Sequence, residues 1–206
     1  MAILSTLGFS MNVDLADVSV EGISGLTNED MEYSKRLGYV IKLLGIAKRE
    51  NGHIEVSVQP TLIPEKHPLA SVQDEYNAVY VYGESVGETM FYGPGAGELP
   101  TATAVLSDVV TVAKNIRLGV CGHSYTPSYY EKKIKSAEEI EMKTYFRLHV
   151  KDEPGVFSKI TALLAEQGIS MEKIFQTPLK NGGAAEIVIV THQTTKQAQD
   201  AVYDAF

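Results

Sequence analysis

Asn51-Gly52 constrains this chain more than any other short feature. The pair supplies two residues that tolerate positive φ at a two-residue turn, the strongest short-range hairpin signal. Ahead of it, Tyr39 to Ala47 is a nearly continuous apolar run (Val40, Ile41, Leu43, Leu44, Ile46), which suits a buried strand. Behind it, Ile54, Val56 and Val58 alternate with polar residues, as a return strand with one covered face requires. A sheet is therefore expected early in the chain, with Tyr39 to Ala47 as a strand covered on both faces.

Helical signals flank the hairpin. Thr27-Asn-Glu-Asp30 reads as a capping box, with Leu26 and Met31 spaced as a hydrophobic staple, and the helix should stop at Gly38. Met1 to Leu7 is apolar and already reads as helix with no capping residue ahead of it, so the chain is expected to have been cut from something longer. Beyond Pro60, Pro64 and Pro68, Ala78 to Tyr82 and Val86 to Tyr92 predict a second strand pair turning near Gly83. Gly93-Pro-Gly-Ala-Gly97 follows, then a helix from about Pro100 whose Val105, Val109, Val112 and Ile116 stripe one side.

The pattern breaks between 117 and 142, which reads as a linker carrying Gly119, Gly122, Pro127 and the charged stretch Glu131 to Lys135. From Lys143 a new rhythm begins. Phe146, Leu148 and Val150 alternate; Pro154 opens a helix ended by Gly168; Ile169 to Gln176 is a strand. Asn181-Gly-Gly183 turns into a strand from Ala185 to Thr191, and a helix runs from Thr194 to Phe206. The order β-α-β-β-α is one strand short of a ferredoxin-like unit. The expected class is α+β: a mixed-sheet domain over 1–116, the linker, and a ferredoxin-like domain over 143–206 lacking its last strand.

Charge and cysteine content exclude several functions. A net charge of −8 over 206 residues argues against a nucleic-acid surface. No apolar run approaches a membrane span. One cysteine, Cys121, excludes an internal disulfide framework and fits a reducing cytoplasm. The five histidines are scattered, and Cys121 with His123 lacks a second ligand pair, so neither a metal site nor a cysteine nucleophile is expected.

Two features carry chemistry. Gly93, Gly95 and Gly97 lie between a strand and a helix, either as a tight structural turn or as open backbone that a cofactor approaches. They are not G-x-G-x-x-G. Asp152-Glu-Pro-Gly155 marks a strand-to-helix junction. There, unpaired amides suit a carboxylate and Asp152 suits an ammonium, which together describe an α-amino acid; otherwise Asp152 caps the helix.

These segments, in order, resemble the homoserine dehydrogenase family. Leu37-Gly-Tyr-Val-Ile-Lys-Leu-Leu-Gly45, His67-Pro-Leu-Ala70, Asn77-Ala-Val79, and Tyr92-Gly-Pro-Gly-Ala-Gly97 followed by Pro100-Thr101 and Ser107-Asp108 are similar to its substrate and dimerisation domain. Residues 143 to 206 resemble an ACT regulatory domain through Asp152-Glu-Pro-Gly-Val156, Gly168-Ile-Ser170 and Gln176. The resemblance implies interconversion of aspartate semialdehyde and homoserine with NADP or NAD, on the route to threonine and methionine. It puts Gly97 on the backbone nearest the nicotinamide, with Gly93 and Gly95 shaping the loop and Thr101 starting the supporting helix. It also implies feedback by an amino acid, threonine first. The effector would sit near Asp152, Gly155, Val156 and Gln176, closed by Ile169 and Ser170 of a paired copy in an oligomer that is at least a dimer. The family's glycine fingerprint is absent. Its catalytic Asp and Lys are expected upstream of Met1, leaving no catalytic residue in this chain. Two readings of another class stand beside it: a non-enzymatic amino-acid sensor, and an ACT domain that only drives oligomerisation.

Overall fold

A helix with a left-handed residue at its end opens the chain. α1 (Ala2–Phe9) stops at Ser10, which adopts φ 53. β1 (Ser19–Val20) follows, then α2 (Asn28–Arg36), whose start is the expected box: the Asp30 carboxylate accepts from Thr27 N at 2.8 Å, and Thr27 accepts from Asp30 N. α2 ends as expected, with Gly38 just beyond it at φ 79. The computed structural model describes residues 1–120, 128–179 and 182–206. The linker features Gly122 and Pro127, the Cys121 and His123 pair, and Asn181 of the predicted turn lie outside the described residues.

β2 (Tyr39–Glu50) and β3 (His53–Pro64) form the hairpin, with Asn51 at φ 51 and Gly52 at φ 80. Two positive φ values match the twist of the flanking strands. β1 pairs in parallel with β3, making a mixed sheet of order β1-β3-β2. The alternation in β3 buries Ile54 and Val56 against Met11 and Val13. β2 corrects one expectation. It is an edge strand of half-buried and exposed residues, with Leu43 50% exposed, so its apolar run is not covered on both faces within the single chain.

The stretch expected to be a linker also differs. Its first two residues continue a helix, and its later part is tied to the hairpin. Ile54 N donates to Lys133 O, Lys135 N donates to Ile54 O, and the Lys135 ammonium reaches Glu50 at 2.5 Å and Glu55 at 3.5 Å. Polar spacing reads as linker, but a main-chain bridge needs no side-chain signal.

The residues form two compact units, Met1–Leu62 with Ser128–Phe206, and Ile63–Pro127. In the second, β4 (Tyr76–Gly83) and β5 (Gly87–Pro94) are an antiparallel ribbon, and α3 runs Glu98–Leu118. The predicted stripe on α3 is present but uncovered: Val105, Val109, Val112 and Ile116 are all more than half exposed. Among the described residues of this unit, one ribbon and one helix supply too little surface to cover it.

In the first unit, β6 (Glu141–Met142) leads into the region with the new rhythm. It comprises β7 (Tyr145–Lys151), α4 (Val156–Glu166), β8 (Met171–Pro178), β9 (Ala184–Thr191), β10 (Thr194–Thr195) and α5 (Lys196–Ala205). The antiparallel sheet runs β7-β9-β8, and β10 pairs with β6. Phe146, Ile160, Leu164, Ile169, Ile187, Ile189 and Val202 form its core between sheet and helices. Every residue of β9 from Ala185 to Thr191 is buried, which needs cover on both faces.

α2 supplies that second cover. Tyr33 packs on Phe175 with ring centroids 5.3 Å apart, and the Arg36 guanidinium lies 4.3 Å from the same ring. Arg36 donates to Thr177, and Lys173 donates to Leu37 O at 2.7 Å while sitting over Tyr39. Arg147 of β7 meets Asp30 at 2.8 Å and Glu186 of β9 at 3.3 Å, and Tyr145 donates to Asp30 at 3.1 Å.

Burial, and then the Asp30 carboxylate, hold the Tyr145 phenol above its usual range. A raised folded pKa gives stability that is complete below the unfolded phenol's value, about 10, and is lost as pH rises beyond it. Urea midpoints are expected to fall above pH 10, and less steeply in Tyr145→Phe; parallel declines in the two proteins would refute the assignment.

Candidate effector and cofactor-facing sites

A cavity of about 320 Å³ opens at the junction of β7 and α4, lined by Val150, Asp152, Gly155, Val156, Gln176 and Ile187 among others. Sequence reasoning placed four of these together: Asp152, Gly155, Val156 and Gln176. Gly155, at φ 92, is the residue that caps α4, a conformation costly for any side chain. With no side-chain cap on α4, Asp152 is not the capping residue. Its Oδ1 instead accepts from Gln176 Nε2 at 3.0 Å, drawing β8 toward the β7–α4 turn. The cavity thus holds a carboxylate, an amide and the N-terminus of a helix, where backbone N–H groups favour an anion.

Ile169 and Ser170 lie elsewhere. Ile169 is 5% exposed within its own core, and Ser170 is exposed. Ile187 and Phe157 were missed as lining residues. Ile187 enters because β9 pairs Gln176 with Ile187, a register that no local pattern announces.

The glycine loop is structurally unequal. Gly93 lies within β5 opposite Asn77, and a Cβ there meets nothing within 4 Å. A Cβ on Gly95 would sit 1.4 Å from Asn77 Nδ2, so any side chain there would displace that of Asn77. Gly97 adopts φ 127 and caps α3 without a side-chain bond, and Thr101 N donates to its carbonyl at 3.2 Å. The open backbone at Gly93, the side-chain-free cap at Gly97 and the helix start behind it fit the approach of a flat ring or an anionic group. Among the described residues no three of His, Cys, Asp and Glu gather to hold a metal ion, and no helix is long and apolar enough to cross a membrane.

A mixed α+β region with a glycine loop and a ferredoxin-like region with a cavity at a strand-to-helix junction are thus the two parts of the chain. The homoserine dehydrogenase family profile matches residues 1–110 and the ACT domain profile residues 144–206, so the chain belongs to the homoserine dehydrogenase family and contains an ACT domain. It is 62% identical over 197 residues to the homoserine dehydrogenase of Bacillus subtilis, covering 95% of this chain and 46% of that protein. It is 39% identical over 202 residues to that of Neisseria gonorrhoeae, covering 96% and 46%. The crystal structure of a homoserine dehydrogenase from Thiobacillus denitrificans superposes with a TM-score of 0.86 at 37% identity, covering 98% of this chain and 46% of that one. That of S. aureus homoserine dehydrogenase at pH 6.0 gives 0.65 at 35% identity, covering 98% and 48%. The chain spans about half the length of the curated relatives it matches.

Proposed function

We propose that this chain forms the substrate and regulatory portion of a homoserine dehydrogenase, a cytoplasmic enzyme of threonine and methionine biosynthesis that interconverts aspartate semialdehyde and L-homoserine. The observation that carries it is the match of residues 1–110 to the family. NADPH or NADH, when bound, supplies the hydride. Gly93 and Gly97 leave the backbone free for close approach, Gly95 leaves room for the Asn77 side chain, and Thr101 lies in the first turn of the helix that supports the loop. The catalytic Asp and Lys are supplied from outside the chain. Full-length protein should therefore oxidise NADPH only when aspartate semialdehyde is present, and the 206-residue chain should show no turnover. Oxidation without the aldehyde, or turnover by the chain alone, would sink these two statements in turn.

The ACT domain reads an amino acid, threonine, in the cavity at Asp152. The carboxylate group faces the start of α4, the ammonium meets Asp152, and Ser170 of a second copy contributes to closure in a dimer or larger oligomer. Asp152→Ala should weaken L-threonine binding at least tenfold by calorimetry, since a charge-assisted hydrogen bond contributes about 1.5–3 kcal/mol. Unchanged affinity would place the site elsewhere. An ACT domain serving assembly alone predicts no heat with threonine, homoserine or methionine.

A further inference from the structure

The sheet that holds the cavity is read on both faces. Along β8, Gln176 points to the cavity, while its neighbours Phe175 and Thr177 meet Tyr33 and Arg36 of α2. Along β9, Ile187 lines the cavity and the preceding Glu186 meets Arg147 on the α2 face. Side chains alternate across a strand, so one residue separates a ligand contact from a contact to α2. The two strands are in register at this point, Gln176 opposite Ile187 and Thr177 opposite Glu186.

The α2 face is not an ordinary apolar contact. Arg147 is shared by two carboxylates, Asp30 on α2 and Glu186 on β9, which are 6% and 10% exposed at their side chains. Tyr145 adds a hydroxyl to Asp30. The Tyr33 phenol is held above its usual range first by the Glu186 carboxylate and then by burial. Even so, Glu186 Oε2 is buried without a hydrogen bond of acceptable geometry. Arg147, Tyr145 and Tyr33 are the donors that these two carboxylates share. A buried, charged network of this kind is sensitive to small shifts of the strands that hold it.

We propose that Arg147, held between Asp30 and Glu186, couples occupancy of the Asp152 cavity to the homoserine dehydrogenase region through α2. The inference rests on the cavity being the amino-acid site. Ligand held by Asp152 replaces its bond to Gln176 and changes the pull on β8; Glu186 and Thr177 follow on the opposite face, and Arg147 redistributes between its two carboxylates. α2 leads directly into β2 of the mixed sheet, which carries the change onward.

Coupling is reciprocal, so it is read as the ratio of L-threonine dissociation constants with and without saturating L-homoserine and oxidised nucleotide. In the full-length protein this ratio should depart from one by at least fivefold, within the usual range for allosteric pairs. Arg147→Met should bring it below twofold, while threonine affinity without substrate stays within threefold. Glu186→Gln keeps the side-chain volume and leaves Arg147 a single carboxylate; it should give the same loss even where Arg147→Met fails to fold. A parent ratio of one, or a parental ratio retained in either folded variant, overturns the coupling. Absence of threonine binding to the parent protein removes the cavity reading itself, and the coupling with it.

Discussion

Arg147→Met should lower the stability of the chain by about 3 kcal/mol, seen as an earlier urea midpoint with an unchanged slope. The substitution fills most of the volume but leaves Asp30 and Glu186 without the cation they share. Removing one partner of a buried ion pair costs about 3–5 kcal/mol because the other charge remains out of water. The low end applies because Arg147 keeps about a quarter of its side chain exposed, at 24%. Glu186→Gln keeps the shape and leaves Arg147 paired with Asp30, so its loss should be smaller, below about 1.5 kcal/mol. Equal losses in the two variants would show that shape, not charge, governs the contact between α2 and the sheet.

Ile189→Ala should cost about 2–5 kcal/mol by the same measurement, through lost burial and the cavity left behind. Ile189 is fully buried on the central strand, among Phe146, Leu164 and Val202 from three other elements. α2 covers the far face of the sheet, so the strand has little freedom to collapse into the void. Val105→Ala on α3, where the side chain is 59% exposed, is the control and should change stability by less than about 0.5 kcal/mol.

These contrasts show what was legible in the residues. Local chemistry was read correctly where one short segment determines the outcome. Asn51-Gly52 formed a turn with two positive φ values, and Thr27 and Asp30 closed their capping box. Asp152, Gly155 and Val156 fall within five residues of one another, so most of the cavity was visible in a single motif. The failures share a cause. The apolar run of β2 and the stripe on α3 each report a face that prefers cover, but neither records whether the same chain provides it.

The sequence by itself determined the α+β class, the hairpin, the helix ends, the glycine loop and the motif at the α4 start, because each depends on backbone freedom and side-chain period within a few residues. Only the tertiary structure decided which faces are covered and which distant groups meet. That α2 caps the ACT sheet, that Arg147 is divided between residues 117 positions before it and 39 after it, and that Ile187 completes the cavity all follow from strand register and packing. Such contacts are settled by the summed burial of many side chains and the geometry of the whole sheet, and no single segment carries that information.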